Sequence, residues 1–156
     1  MSIKFARNLI KGKIAETVFA QMLRETKKFT VLEFGYEKVI PQLIQNGCYE
    51  NNPMLETLRT APDFAVINQA TKTVKLIEVK FMHVIDSKFV LNSAKRMSES
   101  WNPSFLFIAS FDGFYFGEIN EIIALKGKIK RLKHAFISDI LQERYLKILT
   151  DFEENK

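Results

Sequence analysis

Apolar positions recur with a helical period over residues 3 to 28, a stretch of good helix formers with a single interior glycine, Gly12, and no proline, which predicts one long opening helix. At about 100° per residue Phe5, Leu9, Gly12, Phe19, Ala20 and Leu23 share one sector of that helix, and Ile10, Ile14 and Val18 form a second ridge. "TVLEFGYEKVI", from Thr30, has strand character interrupted at Gly35, and from 36 to 60 Pro41, Gly47 and "ENNP" break the pattern so that no element is assigned. Residues 62 to 68 and 73 to 82 carry β-branched and aromatic residues on either side of "NQATK", the pattern of a hairpin. "DSKFVLNSAKRMSES" predicts a helix with Asp86 or Ser87 as its N-cap and Val90, Leu91, Ala94 and Met97 at helical spacing. After the break at "WNP", the unbroken apolar run "SFLFIAS" fits a strand buried on both faces. "GFYFGEI" and "EIIAL" read as further strands, and "FISDILQERYLKIL" as a closing amphipathic helix with Ile137, Ile140, Leu141 and Ile148 inward. The expectation is an α/β fold with a central mixed sheet flanked by helices, ordered α-β-β-β-α-β and followed by C-terminal strands and a helix.

The hairpin carries charge where its two strands should meet. Side chains alternate across a strand, so Asp63, Ala65 and Ile67 share one face, and Val74, Leu76, Glu78 and Lys80 share another. Both faces are apolar, which places these strands deep in the sheet. With the turn centred between Ala70 and Thr71, Asp63 lies directly opposite Glu78, and a slip of one residue would undo the pairing. Two opposed carboxylates destabilise a sheet, and a divalent cation between them would remove the conflict. From charge placement alone, Lys80 neutralising both acids in an ion-pair cluster is the simpler account. The opening helix adds Glu16 in the middle of the first apolar sector, where an unpaired carboxylate is costly. Lys13, three residues back, could pair with it. A third carboxylate aimed at the hairpin would complete a hard-oxygen site suited to Mg²⁺ or Mn²⁺.

Composition narrows the setting. At 156 residues and 47% hydrophobic side chains the chain is long enough for one cored domain, read as 1 to 156, and too short to expect two. The lone Cys48 cannot form an internal disulfide. No apolar run approaches the roughly 18 to 20 residues that span a bilayer, and basic residues interrupt the N-terminal apolar positions, so a cytoplasmic protein without a membrane partner is expected. The net charge of +5 is unevenly spread. Lys126, Lys128, Lys130, Arg131 and Lys133 fall in an acid-free stretch, Lys4, Arg7, Lys11 and Lys13 crowd the opening helix, and Asp151, Glu153 and Glu154 end the chain. Such basic clusters suit a nucleic acid, whose phosphates release counterions on contact; a solvated Lys-rich turn around Gly127 explains the first cluster equally well.

"PD" at 62 and 63, followed by "EVK" at 78 to 80, resembles the signature of the PD-(D/E)XK nuclease superfamily, and "KGKIAETVFAQML", from Lys11, is similar to the G-x-x-A-E opening helix of many members, particularly Holliday-junction resolvases and related repair nucleases. The element order over roughly residues 8 to 110 is that of the superfamily's restriction-endonuclease-like core. The resemblance implies a metal-dependent DNA endonuclease of repair, recombination or mobile-element defence, using Mg²⁺ or Mn²⁺ and leaving a 5′-phosphate and a 3′-hydroxyl. It implies that Asp63, Glu78 and the Val79 backbone carbonyl hold the metal, that Glu16 binds it directly or through water, and that Lys80 orients or activates the attacking water. Candidate DNA contacts are Lys11, Lys13, Arg59, Lys95, Arg96, Lys128, Lys130 and Arg131. Many relatives act as homodimers, for which the Phe-rich strands from 105 to 116 or the ridge Ile10, Ile14, Val18 are candidate interfaces. His83 reads as structural and Trp101 as a loop anchor. The competing readings are a nuclease-like fold retained as a nucleic-acid binding or scaffolding module, and an unrelated basic binding protein in which the two motifs coincide by accident.

Overall fold

The computed structural model describes residues 3–48 and 53–154. Residues 50–52 of "ENNP" and the side chains of Phe5, Glu153 and Glu154 lie outside the described residues. Five strands, β1 (Phe29–Glu33), β2 (Phe64–Asn68), β3 (Thr73–Phe81), β4 (Phe105–Ser110) and β5 (Gly113–Glu118), form one mixed sheet in that spatial order. β1, β2 and β3 run antiparallel in turn, β4 is parallel to β3, and β5 returns antiparallel to β4. A parallel step needs a crossover, and α4 (Ser87–Ser98) supplies it. The other helices are α1 (Ile3–Glu25), α2 (Tyr36–Gln45), α3 (Pro53–Arg59), α5 (Ile119–Ala124) and α6 (Asp139–Glu154).

The hairpin has the expected register, Phe64 facing Ile77 and Asn68 facing Thr73. Its turn is held by the Asn68 side chain, which accepts from the N–H groups of Ala70 and Thr71 at 2.9 and 3.3 Å. α1 and α6 pack on one face of the sheet over Phe64, Val66, Ile77, Val79 and Phe107; α4 and α5 cover the other over Leu106 and Ile108. Phe19 of α1 is wedged between Phe64 and Phe107, with ring centroids 5.2 and 4.7 Å away, and so fixes the helix across the strands. β4 lies between two strands and two helical layers, and Leu106, Phe107, Ile108 and Ala109 are all fully buried, as its unbroken apolar run predicts. Asp86 caps α4, accepting from the N–H groups of Lys88 and Phe89.

Several expectations are corrected. The strand at 30 to 40 ends at Glu33, and the unassigned stretch beyond it holds α2, which keeps Pro41 inside it, and α3. "EIIAL" is helical: Glu118 caps it by accepting from the Glu121 N–H at 3.1 Å, and Ile119 and Ile122, three apart, bury themselves against α4. Capping and packing there outweigh the β preference of paired isoleucines. In α6 the inward positions are Leu141, Tyr145 and Leu149, a spacing of four, which leaves Ile140 and Ile148 exposed. Ile137 is buried in the segment that precedes the helix. In α1 Leu9 and Ile10 are half exposed, whereas from Ile14 onward both ridges are covered, because α6 packs along the side that the sheet does not reach. Ile14 and Val18 are therefore core residues, as are Phe107 and Phe114, while Phe105 and Phe116 stack on each other at 5.3 Å against that core. Val18, Phe107 and Phe114 are buried and cannot form a dimer face, whereas Ile10, Phe105 and Phe116 keep surface exposed.

The Lys-rich turn is structural at its centre. Gly127 has φ +94° and lies so close to Ser87 that an added Cβ would run into the Ser87 carbonyl. Gly127→Ala is expected to cost more than about 1 kcal/mol and to lower the thermal midpoint, while Lys128→Ala next to it leaves the midpoint unchanged. Among the described residues no helix is long and apolar enough to cross a membrane.

Candidate active site

The site is assembled where β2 begins and β3 nears its end. Asp63 immediately precedes β2, and its backbone carbonyl accepts from the N–H groups of Phe34 and Gly35 at 2.9 and 3.3 Å, which ties it to the exit of β1. Its side chain reaches across the hairpin, Oδ2 accepting from the Val79 N–H at 2.9 Å. In an extended strand the N–H and C=O of one residue point to the same side, so the Val79 carbonyl also faces the Asp63 side, beyond the last paired residue of β2.

Glu78 stands opposite Asp63 in the register. Its Oε1 is buried without a hydrogen-bond partner, and its Oε2 lies 3.6 Å from the Lys80 Nζ. A buried carboxylate oxygen left bare costs on the order of 1–3 kcal/mol. Burial first, and the Glu78 charge second, push the Asp63 carboxyl up to about 8. Both effects favour a proton, or a cation in its place, between the two acids.

Glu16 enters from α1, one turn before the Phe19 wedge, and is half buried. Its carboxyl is raised above the usual range, chiefly by burial and then by Asp63, with Lys13 opposing. Lys13 lies 3.7 Å from Glu16 and donates to Glu37 of α2 at 2.9 Å, so the partner expected for Glu16 is shared between two acids. The Glu37 hydrogen bond holds the Lys13 ammonium above its usual value. Glu16, Asp63 and Glu78 all line one cleft of about 470 Å³. Among the described residues no three His, Cys, Asp or Glu side chains close into a ready metal cage; the close pair is Asp63 and Glu78, with Glu16 across the cleft.

Four basic residues, Lys13, Arg24, Lys38 and Arg59, line the same cleft, together with Tyr36 and Glu33. Of the candidate DNA contacts, Lys13 and Arg59 therefore belong to the site. Lys11 is outside the cleft lining, its Nζ 5.5 Å from the Phe81 ring. Lys95 and Arg96 are exposed in the last turn of α4, outside the cleft lining. Lys128, Lys130 and Arg131 lie by β5, the opposite edge of the sheet from β1; Lys130 pairs with Glu121 at 3.0 Å and Arg131 with Asp112 at 3.3 Å. Those five lie outside the cleft, since linear charge clustering does not report which sheet edge a loop reaches.

Arg24, Glu33, Tyr36, Glu37 and Lys38 are cleft residues absent from the sequence expectation. The signal was the charge density of "EFGYEK", which follows a strand and now forms the wall of the cleft, with Lys38 pairing back to Glu33 at 3.0 Å. Trp101 is a loop anchor, as read: its indole N–H donates to the Thr57 carbonyl and Thr60 Oγ1, and its ring meets Phe34 edge-on at 5.5 Å, bracing the same wall. No family model matches the chain, and no curated protein matches it significantly.

Proposed function

We propose that this protein is a metal-dependent DNA endonuclease built on a restriction-endonuclease-like core. The observation that carries the reading is the pair of buried carboxyls, Asp63 and Glu78, set against each other with one Glu78 oxygen, Oε1, given no donor by the surrounding side chains, in a cleft that also holds Glu16. An ion-pair cluster accounts for less of it. Lys80 reaches one oxygen of Glu78, and one ammonium set against two facing carboxylates leaves Glu78 Oε1 unpaired and the Asp63 carboxyl raised. The order of α1, β1, the β2–β3 hairpin, the α4 crossover and parallel β4 supports the same core, because it is the arrangement that the resemblance implies.

The residues fit Mg²⁺ or Mn²⁺, which prefer carboxylate and carbonyl oxygens. Asp63, Glu78 and the Val79 carbonyl would hold the ion, with Glu16 reaching it directly or through water. Bound there, it would supply a water ionised near neutral pH and positive charge for the phosphoryl oxygens. The chain's own groups do the remainder. Lys80, held beside Glu78 at the end of β3, donates hydrogen bonds to the attacking water or to a non-bridging phosphate oxygen, where negative charge builds in the transition state. Lys13, Arg24, Lys38 and Arg59 on the cleft walls position the phosphate backbone and carry no base information. In-line attack on phosphorus breaks the bond to the 3′ oxygen, which takes a proton, and leaves a 5′-phosphate.

The test is a panel of plain, nicked, flapped, forked and four-way branched DNA incubated with Mg²⁺, Mn²⁺ or EDTA. Cleavage of at least one substrate, dependent on the divalent ion and yielding ends that a ligase accepts, is the expected result. No ion-dependent cleavage anywhere in the panel rejects the enzyme and leaves the binding-module reading.

A further inference from the structure

The acidic cleft extends well past its acids. Its α1 wall consists of two ridges at helical spacing, Lys13, Thr17 and Gln21 beside Glu16, Ala20 and Arg24. From residue 13 to residue 24 a helix advances about 16 Å, and Glu16 stands near one end of that length. There Lys13 of α1 meets Glu37 of α2 at 2.9 Å, which joins the two walls level with Glu16. The other end of the α1 wall is Arg24, an exposed residue. Its Nη2 donates to the Val31 carbonyl of edge strand β1 at 3.1 Å, which pins one arm of the guanidinium. Among the described residues Arg24 has no carboxylate within ion-pair distance, and Glu33, the cleft acid that feels its charge, is held by Lys38 at 3.0 Å.

A guanidinium fixed by one bond to the backbone offers its remaining N–H groups as a planar fork, and it has less freedom to lose on meeting an anion than a loose lysine has. A phosphate oxygen pair is the group that fork fits. The spacing along the helix then says which phosphate. Arg24 follows Glu16 by eight residues, which places it about 12 Å further along the helix axis. Neighbouring phosphates on one strand of a duplex lie roughly 7 Å apart, about twice their axial advance, because the backbone winds around the axis as it rises. Two such steps match the distance from Glu16 to Arg24.

We propose that a DNA strand runs along α1 from Glu16 to Arg24, and that Arg24 holds the phosphate two nucleotides from the scissile one. Cleavage then needs at least two further nucleotides on that side of the cut, so the strand is cut internally and is not trimmed singly from that end. The inference rests on the proposed nuclease activity for which phosphate is cut, and on the cleft alone for the contact to Arg24.

The experiment maps the cut in a DNA that the full-length protein cleaves with Mg²⁺, then replaces single phosphates on either side of it by neutral methylphosphonates. The replacement two nucleotides from the cut, on one side, is expected to lower kcat/KM about tenfold, the weight of one charge-assisted hydrogen bond. Arg24→Gln should lose about as much on the all-phosphate DNA and be indifferent to the methylphosphonate at that one position, while Arg24→Lys stays sensitive to it. Each protein is compared with itself, so a variant that folds poorly slows on every substrate alike and leaves the coupling readable. In EDTA, Arg24→Gln should lower the salt slope of plain-duplex affinity by about one, and Lys95→Gln, outside the cleft, should lower it less. Arg24→Gln rates equal to those of the unsubstituted protein, or losses that add to the methylphosphonate effect at every position, overturn the inference. Ion-dependent cutting with that additive pattern sinks the role of Arg24 and spares the nuclease. No cutting of any DNA, with the salt slope still falling by about one in Arg24→Gln, rejects the nuclease and leaves Arg24 as a phosphate contact.

Discussion

Asp63→Asn is expected to lower divalent-dependent DNA cleavage by on the order of 10³-fold or more while changing DNA affinity little. The side chain keeps its shape, and its Oδ can still accept the Val79 N–H that Asp63 accepts at 2.9 Å. What is lost is one of the two opposed charges that would hold the ion. The cleft-wall cations, which would meet the phosphates, are untouched. Glu78→Gln should match it, because the two acids act on one ion. Lys80→Met should lower the rate with unchanged divalent affinity, since its ammonium lies 3.6 Å from Glu78 and is itself a donor rather than an ion ligand. Gel-based cleavage rates alongside calorimetric Mn²⁺ titration separate these outcomes. Cleavage that survives Asp63→Asn would remove the enzyme assignment, and a Lys80→Met protein that no longer binds Mn²⁺ would reassign Lys80 to holding the site together.

The second large effect is on stability against pH. Burial and the facing Glu78 raise the Asp63 carboxyl from 3.8 to about 8, so the folded protein holds a proton there that the unfolded chain has released. A raised pKa contributes stability that is complete below 3.8 and is lost as pH climbs through about 8. Relative to Asp63→Asn, which mimics the protonated acid at every pH, the metal-free protein should match at pH 4 and fall behind by on the order of 2–5 kcal/mol by pH 9. At this chain length that is a gap of roughly 5–15 °C in thermal midpoint. Mg²⁺ or Mn²⁺ at about a hundred times its dissociation constant should return about 2.7 kcal/mol to the unsubstituted protein at pH 8, and nothing to Asp63→Asn. Paired thermal melts from pH 4 to 9, with EDTA and with metal, measure both. Parallel curves for the two proteins would show that Asp63 and Glu78 do not repel, and would remove the electrostatic reason for an ion between them.

Much of the site could be read along the chain, for identifiable reasons. A two-residue period fixes which side chains share a face, so Asp63 and Glu78 were placed opposite each other once "NQATK" located the turn, and the register of the hairpin matches. The apolar sector of the opening helix singled out Glu16, because an acid among Phe19, Ala20 and Leu23 needs a reason to be there. β4 announced its burial by having no polar position between Phe105 and Ala109.

What the linear pattern could not carry was the phase of elements relative to one another. Leu141 packs inward as its spacing predicts, yet α6 turns Tyr145 and Leu149 in with it and leaves Ile140 and Ile148 exposed, and the two ridges on α1 are interpretable only once a second helix covers one of them. The cleft wall from Glu33 to Lys38 is a short strand end followed by the first turn of α2, whose apolar positions Val39, Ile40, Leu43 and Ile44 keep helical spacing but are none of them buried, and whose interior Pro41 reads as a break. The basic run around Gly127 was visible as charge, but its position beside β5 depends on strand order, which the sequence does not state. Local periodicity, set by backbone geometry, fixed which residues share a face. Long-range packing decided which faces meet, and so brought a helix acid and a hairpin pair from distant parts of the chain to one cleft, because buried area is optimised over the whole chain rather than within any one element.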